Sequence, residues 1–225
     1  MKAVIYRIFR LFIGLIFYAV GIVMTINANL GLAPWDVFHQ GLSKTMNISM
    51  GQASIGVGLM LIISNSFLGE RLGWGTICNM FFIGFFMDIL MFNHLIPIFD
   101  NWILQLMMLL LGMFLIGIAS IFYIGASLGA GPRDGLMIAL TKKTGKSVRF
   151  IRNSIELSVL SLGYILGGFI GVGTLITALA IGYIVQFTFK LFHFEVNKIQ
   201  HRFIDDDIKF LGRMISKKED HSEVE

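Results

Sequence analysis

The chain has 225 residues, 56% apolar and only 14% charged, with a mean hydropathy of +0.77. A soluble domain carries roughly 25% charged residues, so this composition excludes a water-soluble globular protein; it accommodates six or seven spans of about 20 residues and no large soluble domain. The net charge of +4 does not point to nucleic acid, because membrane topology accounts for the basic residues and no aromatic-basic interleaving accompanies them.

The first apolar run, about 8–28, follows Lys2, Arg7 and Arg10 as a signal peptide would, but it is too long for one and reads as an uncleaved span. A short stretch, Pro34–Met46, comes next and is too brief to cross. In it Trp35, Phe38, Leu42 and Met46 recur at helical spacing opposite Asp36, His39, Gln40, Ser43 and Lys44. That pattern suits a helix lying flat on a membrane or one packed on its own protein. Runs at about 50–69 and 74–93 follow, joined by Gly73-Trp-Gly-Thr76, whose Thr is an expected helix N-cap and whose glycines permit a tight hairpin. Gly51, Gln52, Ser54, Gly56 and Gly58 give the first of these runs a small face, for close packing or for lining a pore. Cys78, the single cysteine, reads as a small buried apolar residue, and Asp88 as a side chain reaching the outer interface.

The pattern then recurs: a run at about 102–126, a short stretch Pro132–Thr144, and runs at about 148–170 and 174–192. Glu156 lies some two turns into the fifth run, with Arg152 and Asn153 four and three residues before it. An internal Arg152–Glu156 pair or a polar vestibule open to solutes both fit this spacing. After His193 the chain becomes charged, and Ile199, Phe203, Ile208, Leu211 and Ile215 among Lys198, Arg202, Lys209 and Arg213 predict a basic amphipathic helix on the inner leaflet. Asp205-Asp-Asp207 reads as a solvated break or helix start, and 216–225 as disordered.

The recurrence is a tandem duplication. A shift of 98 positions lays Leu30-Gly-Leu-Ala-Pro-Trp-Asp36 on Leu128-Gly-Ala-Gly-Pro-Arg-Asp134, and Gly73-Trp-Gly-Thr76 on Gly171-Val-Gly-Thr174. An N-terminus in the cytoplasm puts 17 of the 18 Lys and Arg inside or near the inner boundary, leaving only Lys44 outside. Three spans per half then invert the second half against the first. The predicted fold is an all-α membrane protein of six transmembrane helices, arranged as two inverted three-helix repeats, each with a short interfacial or re-entrant helix after its first span. The membrane domain covers 1–195, with repeats at about 8–98 and 102–195, and a cytoplasmic tail covers 196–225.

The motif L-G-x-x-P-x-D, carried by Leu30, Gly31 and Pro34 and again by Leu128, Gly129 and Pro132, ends one helix at Gly and starts the next at Pro. Asp36 and Asp134 then fall in the first turn, either capping free amides or facing a central cavity as a solute or ion pathway. Asn79 and its equivalent Thr177 read as helix-to-helix hydrogen-bond partners. The halves disagree where Glu156 replaces Gly58 and Met137 replaces His39, so His39 and Glu156, with Arg152 and Asn153, are the candidates for one-sided chemistry. No catalytic motif, metal-ligand spacing or cofactor site is evident.

Residues 30–43, L-G-L-A-P-W-D-V-F-H-Q-G-L-S, and 47–54, N-I-S-M-G-Q-A-S, resemble the YczE/YitT group of bacterial integral membrane proteins, most of all its YczE-like branch; the likeness covers most of 5–195. The resemblance implies a small, multi-pass protein of the bacterial plasma membrane. It supplies no substrate and no site residues. The expected function is a small secondary transporter or channel for a solute, acting as monomer or homodimer. The alternative is a non-transporting adaptor that recruits a cytosolic partner through its tail.

Overall fold

The computed structural model of the protein describes residues 2–208. Among these residues eight α-helices precede the tail: α1 (Lys2–Asn27), α2 (Pro34–Met46), α3 (Met50–Phe67), α4 (Trp74–Phe92), α5 (Trp102–Gly125), α6 (Pro132–Thr144), α7 (Val148–Ile165) and α8 (Val172–Leu191). Helices α1, α3, α4, α5 and α8 are long and apolar enough to cross a membrane. Helix α7 matches α3 in length but carries Arg149, Arg152 and Glu156, so length and composition alone give five spans where six were expected.

Many large apolar side chains point outward, among them Phe81, Leu111, Leu175, Leu179 and Phe187. In water so much exposed apolar surface would drive association. In a bilayer it is the required surface, and the protein is an all-α, multi-span membrane protein.

The backbone repeats with the sequence. Left-handed residues recur at the same shift of 98: Asn29 with Ser127, Gly31 with Gly129, Asn47 with Gly145, and Gly69 with Gly167, all at positive φ. These residues stop α1 and α5, α2 and α6, and α3 and α7 at equivalent places. Helices α1 and α5 cross closely at the centre, where Gly14 lies against the Ala119 carbonyl and Gly112 against the Gly21 carbonyl. The shift converts one of these contacts into the other. Lacking interior hydrophobic solvent forces, membrane helices associate through such small-residue contacts. Leu11, Leu15, Ala19 and Val23 of α1 bury against Met87, Tyr123 and Ala126 on one side of this crossing, and Met108, Leu109 and Met113 of α5 form a second core.

The connections are exchanged between halves. Gly173 donates its N–H to the Leu30 carbonyl at 2.6 Å, and Gly75 donates to the Leu128 carbonyl at 2.7 Å. The Gly-x-Gly-Thr glycines therefore admit the other half's backbone; a Cβ on Gly73 would lie 2.1 Å from the Leu128 oxygen. The threonines are not N-caps. Gly73 and Gly171 occupy that position, and the Oγ1 atoms of Thr76 and Thr174, one turn in, accept from their N–H groups.

Asp88 does more than reach an interface. It accepts from Ser49 Oγ at 2.5 Å and from the Gly51 N–H at 2.9 Å, tying α4 to the start of α3. The tail departs from a continuous amphipathic helix as well. A 3-10 turn at Val196–Lys198 leads into extended chain, and a helix begins at 204. Asp205 and Asp206 pair with Arg71, and Asp207 accepts from Trp74 Nε1 at 3.0 Å and pairs with Arg202. His201 Nδ1 accepts from the Gly129 N–H at 3.3 Å, Arg202 N–H donates to the Ser127 carbonyl at 2.9 Å and Ile204 N–H to the Leu72 carbonyl at 3.0 Å. The tail is thus strapped across the α3–α4 and α5–α6 connections. Leu211, Ile215, Lys209 and Arg213, together with 216–225, lie outside the described residues.

Candidate functional site

Pro34 and Pro132 start α2 and α6 at their first helical positions, where a missing N–H is harmless and φ is preset. Each short helix docks on the opposite half. On α2, Gly41 and Gly163 bring the helix against α7, Gln40 Oε1 accepts from the Phe169 N–H at 2.7 Å, and Lys44 Nζ donates to the Gly167 carbonyl at 2.8 Å. On α6, Asn65 Nδ2 donates to the Pro132 carbonyl at 2.8 Å, and Lys142, the equivalent of Lys44, reaches Glu70 at 2.8 Å. The polar side of α2 is therefore largely turned into the protein. Asp36 and His39 are among its most buried residues, at 4% and 1% exposure, and the amphipathic pattern records packing against polar backbone and a cavity.

That cavity, about 280 Å³, opens where the two short helices begin. It is lined by Asp36, His39 and Trp35 of α2, by Arg133, Asp134 and Met137 of α6, and by Arg152 and Glu156 of α7. Tyr18, Tyr123, Asn79, Thr177 and a wall of isoleucines complete it. Five of the six sequence-predicted pathway residues thus come together. Asn153 is the exception: it lies on the exposed side of α7, a helical step away from the cavity face.

The charges are arranged in a chain. Asp36 Oδ1 lies 3.4 Å from His39 Nδ1, His39 Nε2 lies 3.5 Å from an Arg133 nitrogen, and the Arg133 guanidinium sits 4.8 Å from the Trp35 ring centroid. Arg152 donates to Glu156 at 2.9 Å, so the internal pair exists within the cavity lining. Tyr18 donates to Ser120 Oγ at 2.7 Å, because Ser120 itself donates to the Ile116 carbonyl. Asp36 Oδ1, His39 Nδ1 and the Tyr123 hydroxyl are buried without a hydrogen-bond partner. Neither Ala33 nor Gly131 can cap its helix with a side chain, and neither aspartate does so in its place.

Sequence reasoning missed Arg133, Trp35, Tyr18 and Tyr123. Charge placement groups Arg133 with the other cations of the inner boundary, yet it sits inside the repeated motif one residue before Asp134, which is the available signal. Asn79 and Thr177 face the cavity; Thr177 donates to its own helix at the Gly173 carbonyl, 2.7 Å away, and does not bridge helices. The small face of α3 divides, with Gln52 and Gly56 exposed. Gly51 packs against α4 while Ser54 and Gly58 line the cavity.

Residues 5–190 match the family model described as "Family of unknown function (DUF6198)". The chain is 39% identical over 181 residues, 79% of its own length and 82% of the relative's, to "Uncharacterized membrane protein YczE" of Bacillus subtilis (strain 168). The chain belongs to this YczE/YitT-like family. The chain is also similar to an "Uncharacterized protein" of Haemophilus influenzae, 34% identical over 71% of the chain and 72% of the relative, and to "Uncharacterized protein YyaS" of Bacillus subtilis, 29% identical over 73% and 83%. No solved structure matches the chain. Family membership supports a multi-pass protein of a bacterial membrane, and its cavity is what must speak for function.

Proposed function

We propose that this family member is a small secondary transporter that binds a solute in the cavity between α2 and α6. The single observation behind this reading is that two short helices without side-chain caps, one from each half, bring their first turns to one cavity lined by Asp36, His39, Arg133 and Asp134. Membrane proteins tolerate non-spanning helices at depth only where protein or a hydrated cavity surrounds them, and transporters place substrate there. In the proposed topology α1, α3, α4, α5, α7 and α8 all cross, the halves are inverted, both termini are cytoplasmic, and α2 and α6 are re-entrant. Helix α7 crosses despite its charges because Arg152 and Glu156 pair and face the cavity. The cavity is a binding and passage site, with no reaction assigned to it.

The adaptor reading loses ground on one point: Arg202 and the Asp205–Asp207 carboxylates are engaged with Trp74, Arg71 and one another, not held out for a partner. Flux of a metabolite panel into reconstituted vesicles tests the proposal, with Asp36→Asn and Asp134→Asn as variants. Saturable uptake that both variants reduce at least tenfold supports it; uptake unchanged in both, or no uptake of any solute, overturns it. Maleimide labelling of Lys44→Cys and Lys142→Cys tests inversion, which labelling from one side only would contradict.

A further inference from the structure

We propose that the cavity takes a small organic cation, a protonated primary amine on an apolar body, with Asp36 and Asp134 as its carboxylate partners. This deepens the transport reading, but separate observations carry it. The lining holds one more carboxylate than guanidinium. Glu156 is engaged by Arg152 at 2.9 Å. Arg133 has its own company in the Trp35 ring face at 4.8 Å and His39 Nε2 at 3.5 Å. Asp36 and Asp134 remain, against the one guanidinium of Arg133, and leave one negative charge in excess.

Asp36 is 4% exposed and its Oδ1 accepts no hydrogen bond. The adjacent His39 Nδ1, 3.4 Å away, lacks a hydrogen-bond partner too, so the geometry of that contact satisfies neither atom. Asp134 opens onto the cavity and forms no ion pair or hydrogen bond among the described residues. The hydroxyl of Tyr123, 3% exposed, is also unpartnered in the same space. Unmet buried acceptors are destabilising, and carboxylates more than most.

An alkylammonium supplies what these groups lack: three donors, no acceptor and one positive charge. A carboxylate or phosphate ligand brings acceptors and no donor, leaves the Asp36 and Asp134 oxygens unmet, and adds a further negative charge to a lining in which carboxylates already outnumber guanidiniums. The apolar portion has a place, since Ile22, Ile116, Ile155 and Ile181 make up much of the wall. A volume of about 280 Å³ admits a short chain or single ring rather than a long lipid.

Isothermal titration of the full chain in detergent with n-butylammonium, butyrate and n-butanol tests this. Saturable binding of n-butylammonium alone is expected, weakened about tenfold or more by Asp36→Asn, the loss anticipated for one partner of a buried ion pair, and less steeply by Asp134→Asn, whose carboxylate is exposed to the cavity. Asp134→Glu should retain most of the binding, and Asp100→Asn, at an exposed position, all of it. Should the asparagine variants fail to fold, n-butylammonium is expected to protect Asp134 of the unaltered protein from carbodiimide labelling read by mass spectrometry. Binding of butyrate in place of n-butylammonium, n-butylammonium binding indifferent to both aspartates, or absence of protection would overturn the proposal. Vesicle flux separates the two readings. Binding without any flux refutes transport alone, whereas solute flux that excess n-butylammonium does not inhibit refutes the amine site alone.

Discussion

The guanidinium of Arg133 lies over the indole of Trp35, 4.8 Å from its centroid, and the two residues occupy equivalent positions in the two halves of the chain. The duplicated motif thus meets its own copy, with cation on one side and π face on the other. A desolvated contact of this kind contributes up to about 2 kcal/mol. Trp35→Leu should accordingly lower stability by about 1–2 kcal/mol, and Trp35→Phe by less, in thermal unfolding of the detergent-solubilised protein. Equal losses in the two variants would show that the aromatic face does not matter.

The exchanged glycines predict a graded series. Gly31 has φ +118°, and a Cβ there would lie 2.6 Å from the Gly171 nitrogen, so Gly31→Ala combines backbone strain with overpacking and should cost about 3 kcal/mol or more. Gly69, at φ +83° with open space around it, carries strain alone, roughly 1–2 kcal/mol. Gly56 is helical with nothing near it, so Gly56→Ala should stabilise by about 0.5–1 kcal/mol. Melting temperatures should rise from Gly31→Ala through Gly69→Ala to Gly56→Ala, and Gly31→Ala milder than Gly69→Ala would contradict the exchanged packing.

Asp88 holds two donors at the start of α3, Ser49 Oγ and the Gly51 N–H. Asp88→Ala orphans both and should destabilise by about 1–3 kcal/mol, while Asp88→Asn keeps an acceptor oxygen for the Gly51 N–H and should lose less. Proteolysis at the α2–α3 connection provides the readout: faster cleavage is expected in Asp88→Ala than in Asp88→Asn.

The strap over Gly129 should respond to pH. Partial burial pushes the His201 imidazole below its ordinary 6.5, and Nδ1 must be unprotonated to accept the Gly129 N–H. With the folded value below the unfolded one, the contribution is complete above about pH 6.5 and is lost as pH falls through the depressed value. Amide exchange at Arg202 and Ile204, corrected for intrinsic rate, should accelerate between about pH 7.5 and 5. His201→Gln should remove that step, and exchange indifferent to pH in the unaltered protein would show that His201 does not secure the strap.

The repeat, the helix starts at Pro34 and Pro132 and the Arg152–Glu156 pair were legible because Gly, Pro and an i,i+4 charge pair constrain local geometry directly. The destination of α2 was not. Its periodicity has one apolar and one polar side, and only the other half of the chain, 129 residues away at Phe169 for Gln40, decides that the polar side is packed inward. Arg133 was hidden for a related reason: charge counting assigns arginines to loops, whereas this one is held by an aromatic ring from the opposite half. Tyr18 and Tyr123 give no periodic signal, since an apolar span conceals a hydroxyl whose partner, or lack of one, is set by tertiary contact.

The paired bonds from Gly173 to Leu30 and from Gly75 to Leu128 bear on the order in which the chain is made. A carbonyl shut inside a protein without a partner is destabilising by about 1–3 kcal/mol, and the hydrogen bond that the Leu30 carbonyl accepts comes from residue 173. The first half therefore stays unfinished through most of translation until its closing bond can form. An N-terminal fragment ending before residue 171 lacks the donor that completes it, and a separately produced C-terminal half would restore that donor in trans, much as two subunits complete each other across a shared interface.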